Sequence, residues 1–447
     1  MSARSFSVIV QKKISRFNKK IKVDSDKSLS IRAFILGSIC QGVSIAKNVL
    51  ESEDVKSTIA SCKKLGVKIK KIKTGSYKIF GRGLGSFSIK KNAELNFSNS
   101  GTASRLLIGA LSTNPNISVI VKGDHSLNNR SMKKLIDLLK EFGATFLPEN
   151  KFNFPLKMVS SEMPVGINYK AGISAQLKSA AILAGLNSYG NTTIEEQIGS
   201  RDHTENLLKN NPQTIQIKKG NKKIINIQGK KFLKPINITV GGDPSSAAFF
   251  TALTLLNKNS SLTIKNVGLN PTRIGFYKIL KKHNAKIKFF NIKKNNNEIQ
   301  GDIFVRYSKL KSIKTSPKVY SQTTDEYLLL FLIAALTKGV SSFKGIADLA
   351  NKESSRAYEM KKILNQIGIR CELKKDQMSI FGKGMIDASK KKIFVSKLGD
   401  HRVAMSAFIL AIITNAKTTI NNFETVFTSS PSFLKIMKSL WAKFEMK

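Results

Sequence analysis

Four cations in this chain stand where a helix start would normally avoid them. Lys27 and Arg32 lie in "DKSLSIRA", Arg105 in "NSGTASR" and Arg402 in "DHRVAM", each at the polar opening of an apolar run. A cation in a first turn opposes the positive end of the helix dipole. N-capping explains Ser28, Thr102, Ser174, Asp243 and Asp325 at equivalent openings, because short polar side chains accept from free backbone N–H groups. It does not explain the cations. An anion bound at those ends removes the conflict, since N–H groups, dipole and cations then act on one charge. Three more clusters fit: "GDHSLNNRSM" with Arg130, "SRDHTENLL" with Arg201, and "NKESSRAYEM" with Lys352, Glu353 and Arg356. Each reads singly as solvated surface at a helix start, with Lys352 and Arg356 one turn apart on one face. Together they point to a cleft for a multiply anionic small molecule.

The elements that must position these residues repeat. Six segments share a polar start, an apolar helix, a small turn and a short strand, beginning near Lys27, Gly101, Ser174, Pro244, Asp325 and His401. They are about 70 to 80 residues apart, a period that holds several elements. A second helix in each period ends in a break such as "CKKLGVKI" or "ILKKHNAKI", mostly followed by strand-like alternation. Each unit therefore reads as helix, strand, helix, strand. The first helices lack a wide polar stripe and are expected to be buried. Six units suggest two domains of three, with the chain leaving one domain near residue 22 and returning near 240, at the Gly241-Gly242 pair.

Composition narrows the class. Hydrophobic residues at 41% and charged residues at 23% are ordinary for a globular protein. The formal charge of +46 would suit a phosphate-rich partner. The basic residues are nevertheless spread through lysine- and asparagine-rich loops, without the interleaved aromatics of a single-strand platform. Cys40, Cys62 and Cys371 are distant and odd in number, so they read as free thiols of a reducing cytoplasm, with no metal-ligand spacing. The N-terminal stretch lacks a signal-peptide core, and "EYLLLFLIAALTKG" is too short to span a bilayer.

At these residues the chain resembles the enolpyruvyl transferases, in the branch that acts on shikimate 3-phosphate. The motifs run in order along nearly the whole chain: "DKSLSIRA", "NSGTASR", "GDHSLNNR", "GISAQLKSA", "SRDHTE", "GDPSSAAFF", "NPTRIG", "TDEY", "KESSR" and "DHRVAM". "SAQLKSA" and "RDHTE" look like a bacterial branch whose enzymes tolerate glyphosate. The resemblance implies an α/β (α+β) fold of two globular domains, each of three βαβαββ units, joined by a two-strand hinge and closing on the substrates. A discontinuous domain, 1–22 plus 241–447, would carry the acid and base, and an inserted domain, 23–240, would bind shikimate 3-phosphate. The implied reaction joins phosphoenolpyruvate to shikimate 3-phosphate and releases phosphate, on the route to chorismate and the aromatic amino acids. It needs no metal or organic cofactor. The implied protein is a cytoplasmic monomer with small-molecule substrates, and no nucleic-acid or membrane partner.

Carried over by motif, Lys27, Ser28 and Arg32 hold shikimate 3-phosphate, and Lys27 also reaches phosphoenolpyruvate as a catalytic residue. Ser174, Ala175, Gln176 and Arg201 hold shikimate 3-phosphate, with Gln176 near both ligands. Gly101 lets phosphoenolpyruvate approach the backbone, and Arg130, Arg356 and Arg402 bind it. Asp325 accepts the proton of the attacking hydroxyl, with Lys352 beside it, and both contact shikimate 3-phosphate. Glu353 donates a proton to the methylene carbon of phosphoenolpyruvate. An acid and a base on opposite sides of the reacting centre are what this addition requires, and the ligands' negative charges need many cations.

Some positions depart from the family pattern. Asp24 and Ser25 replace a Pro-Gly, Ser131 replaces a Pro after Arg130, Ser355 replaces an Asp, and Thr428 stands where a Lys is usual. Two rivals remain. A UDP-N-acetylglucosamine enolpyruvyl transferase typically uses a loop Cys, and none lies in the corresponding stretch. A basic nucleic-acid-binding protein fits the charge but leaves the polar helix starts unexplained.

Overall fold

The computed structural model describes residues 5–396 and 399–447. Residues 1–4 of the expected N-terminal segment, and 397 and 398 of the C-terminal one, lie outside it. The chain divides into two compact units. One comprises Met1–Asp24, Gly241–Lys293 and Ile299–Lys447, the other Ser25–Val240 and Lys294–Glu298. Each has its own hydrophobic core.

Among the described residues the strands form six four-stranded sheets. One shows the plan. Ala93–Asn96 pairs in parallel with Ser118–Lys122, which pairs antiparallel with Leu156–Val159, and Thr145–Leu147 closes the outer edge. The helix Gly101–Ser112 connects the first two strands, and Lys133–Lys140 lies before the final hairpin. This is a βαβαββ unit with sheet order first, second, fourth, third. The alternation in "SVIVK" puts Val119 and Val121 inward and leaves their neighbours half-buried, as a one-sided sheet requires.

Three of the six sheets borrow a strand from a distant part of the chain. Asn237–Thr239 pairs with Gln41–Lys47, Asn18–Lys22 with Ser261–Gly268, and Val8–Val10 lies between Lys417–Ile420 and Phe444–Met446. The expected α/β fold of two sets of three units is the fold observed. The helix–strand–helix–strand reading missed the leading strand and one arm of each hairpin. Several of these strands have only two to four residues, such as Lys314–Thr315, too short for a period to register.

The first helices are buried as expected. Every residue of Pro244–Leu256 and Tyr327–Ala335 is buried. Their caps are displaced from the expected positions. Asp26, not Ser28, caps Lys27–Ile39 by accepting from Leu29 N. Ser100, not Thr102, caps Gly101–Ser112. Asp325 is no cap, because Tyr327–Ala335 starts after Glu326, which makes no side-chain cap bond. Ser174 and Asp243 cap as expected. The two displacements leave Ser28 and Thr102 inside first turns. No helix among the described residues is long and apolar enough to cross a membrane.

Candidate active site

In the unit containing the C-terminus, five charged groups converge. Arg356 opens the helix Arg356–Gln366 and is 1% exposed. Its Nε donates to Asp400 Oδ2 at 3.0 Å, its Nη2 to Glu353 Oε2 at 2.5 Å, and its Nη1 lies 3.5 Å from Asp325 Oδ1. Arg402 Nε lies 3.4 Å from the same Asp325 oxygen. Burial opposes the Arg356 charge, but the Asp400, Glu353 and Asp325 carboxylates more than offset it, so the guanidinium is held above its usual range.

The sequence reading of "NKESSRAYEM" needs correction here. Lys352 and Arg356 are not one helical turn apart, because Lys352 is extended and lies before the helix. Lys352 pairs with Asp348 at 2.5 Å, and Tyr320 Oη donates to the same Asp348 oxygen at 2.9 Å. Lys352 therefore approaches through the 3-10 turn Ala347–Asn351. Burial, then the Asp348 charge, pushes the Tyr320 hydroxyl far above its ordinary range and keeps it a donor. Ser355 is exposed and makes no cap bond, while Ser354 Oγ donates to Asp400 Oδ2 at 3.0 Å. The substituted Asp24 ties down a loop, since its carboxylate accepts from Ser430 Oγ at 3.0 Å and Ser432 N at 2.9 Å. Thr428 Oγ1 donates to Thr425 O.

The other unit holds the remaining candidates, at three helix starts and, for Arg130 and Arg201, in the stretches before two further helices. Lys27 pairs with Asp54 at 2.8 Å. Arg32 is buried, with Nη1 donating to Ser28 O, Nε to Thr204 Oγ1 at 2.9 Å and Nη2 to Ser179 Oγ at 3.1 Å. Gln176 joins two starts: its amide accepts from Arg105 Nη1 at 2.9 Å and donates to Thr102 Oγ1 at 3.0 Å. Arg130 Nη2 donates to Asn99 Oδ1 at 2.5 Å and Ser126 Oγ at 3.2 Å. Arg130 sits between the short helix His125–Asn128 and Lys133–Lys140, not at the start of the latter. A Cβ on Gly101 would meet Arg105 Nη1 at 2.7 Å and Arg130 Nη1 at 3.3 Å, so a glycine there keeps both guanidinium tips close to the backbone. Ser174 and Ala175 are half-buried at their helix start. Arg201 is half-buried just before the helix His203–Leu208.

Sequence reasoning named the cations but missed most of their partners. Asp54 lies in the first turn of Glu53–Lys64, and Asp400 also caps His401–Thr414. Asp348 and Asn99 carried no signal as partners. A guanidinium flanked by carboxylates, as Arg356 is, offers an anion ligand beside groups able to exchange a proton, and the other unit's helix starts offer further cations for anionic groups. Among the described residues no group of three or more His, Cys, Asp or Glu is placed to hold a metal ion.

Known proteins place the chain. The family described as EPSP synthase (3-phosphoshikimate 1-carboxyvinyltransferase) matches residues 11–437. A 3-phosphoshikimate 1-carboxyvinyltransferase of Zymomonas mobilis is 36% identical over 442 residues, covering 98% of this chain and 97% of that protein. The solved EPSP synthase of Acinetobacter baumannii superposes with a TM-score of 0.85 at 32% identity, covering 99% of this chain and 100% of that one. The enolpyruvyl transferase NikO of Streptomyces tendae shares the fold, with a TM-score of 0.77 at 12% identity, covering 99% of this chain and 98% of that one.

Proposed function

Because the chain belongs to the EPSP synthase (3-phosphoshikimate 1-carboxyvinyltransferase) family, we propose which of its residues carry out that family's reaction. The enzyme transfers the enolpyruvyl group of phosphoenolpyruvate to the 5-hydroxyl of shikimate 3-phosphate and releases phosphate, in aromatic biosynthesis. Lys27, Ser28, Arg32, Ser174, Ala175, Gln176 and Arg201 hold shikimate 3-phosphate. Arg130, Arg356 and Arg402 hold phosphoenolpyruvate, with Lys27 and Gln176 reaching it and Gly101 leaving it room. Asp325 takes the proton of the attacking hydroxyl, with Lys352 beside it, and Glu353 protonates the methylene carbon.

The observation that carries this assignment is the Arg356 cluster. A guanidinium 1% exposed and shared by Asp325, Glu353 and Asp400 is an anion ligand built next to two candidate proton carriers. Phosphoenolpyruvate brings its own anionic oxygens. When they engage Arg356, Glu353 loses its cation and is free to carry a proton. Protonation of the methylene carbon and attack of the hydroxyl on its neighbour give a tetrahedral adduct. Loss of phosphate, with return of the methyl proton to Glu353, gives the enol ether. Every step uses groups of this chain and its two substrates, so the reading calls for no cofactor.

The enzyme is further read as a cytoplasmic monomer that does not bind nucleic acid. Three buried free cysteines suit a reducing compartment, and the monomeric state rests on family likeness. The test is phosphate release from phosphoenolpyruvate, expected only with shikimate 3-phosphate. Release with UDP-N-acetylglucosamine instead would overturn the substrate assignment. Tight, strongly salt-dependent DNA binding without turnover would overturn the catalytic one.

A further inference from the structure

We propose that Lys178 is a positioning residue for shikimate 3-phosphate, because its buried ammonium ties together both ends of the segment that carries Arg201. The inference rests on the reading of Arg201 as a ligand of that substrate.

Lys178 sits two residues after Gln176 in the largely apolar helix Ala175–Leu186 and is 0% exposed. A lysine so placed must be paired. Its Nζ lies 2.8 Å from Glu196 Oε1 and 2.8 Å from Glu205 Oε1. Glu196 ends the strand Asn191–Glu196, and Glu205 lies in the helix His203–Leu208. The lysine thus closes the segment 197–204 at its two ends. Lys223 adds a second ammonium, 2.8 Å from Glu205 Oε1 and 3.2 Å from Glu196 Oε2, so two buried anions meet two cations. Burial opposes the Glu205 charge, but the two lysines outweigh it and draw its carboxyl down to about 2.

The same cluster reaches the substrate cations. Glu196 Oε1 accepts from Ser200 N at 2.7 Å and Ser200 Oγ at 2.6 Å, and Ser200 immediately precedes Arg201. Thr204 Oγ1 accepts from Arg32 Nε at 2.9 Å and shares a 2.8 Å hydrogen bond with Ser179 Oγ. Lys178 and Ser179, neighbours on one helix, therefore fix the segment before and after Arg201 and hold Arg32 through it. A buried ion cluster adds little net stability compared with apolar packing, whereas its hydrogen bonds are directional. Directional anchoring is what a phosphate- or ring-binding arginine on a loop needs.

Ser200→Ala removes one hydrogen bond to Glu196 without exposing a buried charge. It is expected to raise KM for shikimate 3-phosphate about tenfold, the worth of a hydrogen bond to a charged group, with kcat and KM for phosphoenolpyruvate unchanged. Arg201→Ala alone tests the underlying reading, and no change in KM for shikimate 3-phosphate would remove Arg201 from the site and this inference with it. In the double variant Ser200→Ala/Arg201→Ala the Ser200→Ala effect should vanish. An effect that persists in full, or that falls equally on both substrates, overturns the positioning role while leaving Arg201 a ligand. The charge-balanced pair Lys178→Met/Glu196→Gln should show the same selective rise. If that pair does not fold, the Ser200–Arg201 cycle decides alone.

Discussion

The guanidinium of Arg356 and the carboxylate of Asp400 form a buried pair, Nε to Oδ2 at 3.0 Å, with Asp400 2% exposed. Asp400 also accepts from Ser354 Oγ, so the segment carrying Glu353 and the start of the last long helix are joined through one carboxylate. Asp400→Asn leaves Arg356 with a neutral partner. We expect kcat/KM for phosphoenolpyruvate to fall about 100-fold, the cost of breaking a buried charged pair, with KM for shikimate 3-phosphate little changed. Steady-state kinetics on both substrates reads this directly.

Glu353→Gln and Asp325→Asn each remove a proton carrier while preserving shape. Turnover should drop about 100- to 10,000-fold, the usual worth of general acid or base catalysis, with affinity for both substrates within a few-fold. Near-normal turnover in either variant takes that residue out of its role.

Ser355→Asp would place a carboxylate at the uncapped start of Arg356–Gln366. The expected gain is about 0.5 kcal/mol from capping and the helix dipole, seen as a small rise in melting temperature. Affinity for phosphoenolpyruvate should stay the same, because Arg356 already has three carboxylates. A clear gain in affinity would mean that the cluster does not hold Arg356 in its working position.

Gly101→Ala sets a methyl group 2.7 Å from Arg105 Nη1 and 3.3 Å from Arg130 Nη1. Both are tips of flexible side chains, so the protein should fold normally while the guanidinium groups move. KM for phosphoenolpyruvate should rise more than KM for shikimate 3-phosphate, and equal rises would separate Gly101 from the phosphoenolpyruvate site.

Acid should weaken the unit that contains Lys178. The Glu205 carboxyl is drawn from 4.5 down to about 2 by its lysines against the opposing effect of burial, and Glu196 is lowered for the same reasons. Both carboxyls are depressed on folding, so their stabilisation is complete above the unfolded value and is lost as pH falls through the folded one. Thermal unfolding should therefore show stability falling between pH 4.5 and about 2. The decline should be shallower in Lys178→Met/Glu205→Gln, and an equal slope would mean that Glu205 does not dominate it.

The apolar first helices and the cations at their starts were legible because both are local. A run such as "YLLLFLIAA" must be buried wherever it falls, and a cation in a first turn conflicts with its own helix. The caps were harder. Moving the cap from Ser28 to Asp26 changes only which of two suitable side chains turns back on the backbone, and the chain's entry angle decides that. The helical spacing of Lys352 and Arg356 failed because Lys352 is extended, between the 3-10 turn Ala347–Asn351 and the helix that starts at Arg356, and no side-chain period marks that break.

By itself the sequence determined the fold class, the sixfold repeat and the identity of the charged groups. These follow from periodicity and from the order of motifs along the chain. Tertiary structure alone decided the partners. Arg356 with Asp400, Lys27 with Asp54 and Lys178 with Glu196 and Glu205 pair residues from different elements, as do the three borrowed strands. A carboxylate carries no mark of which cation it will meet. The choice falls to the geometry that buries both, because a charge removed from water must find its opposite within a few ångströms.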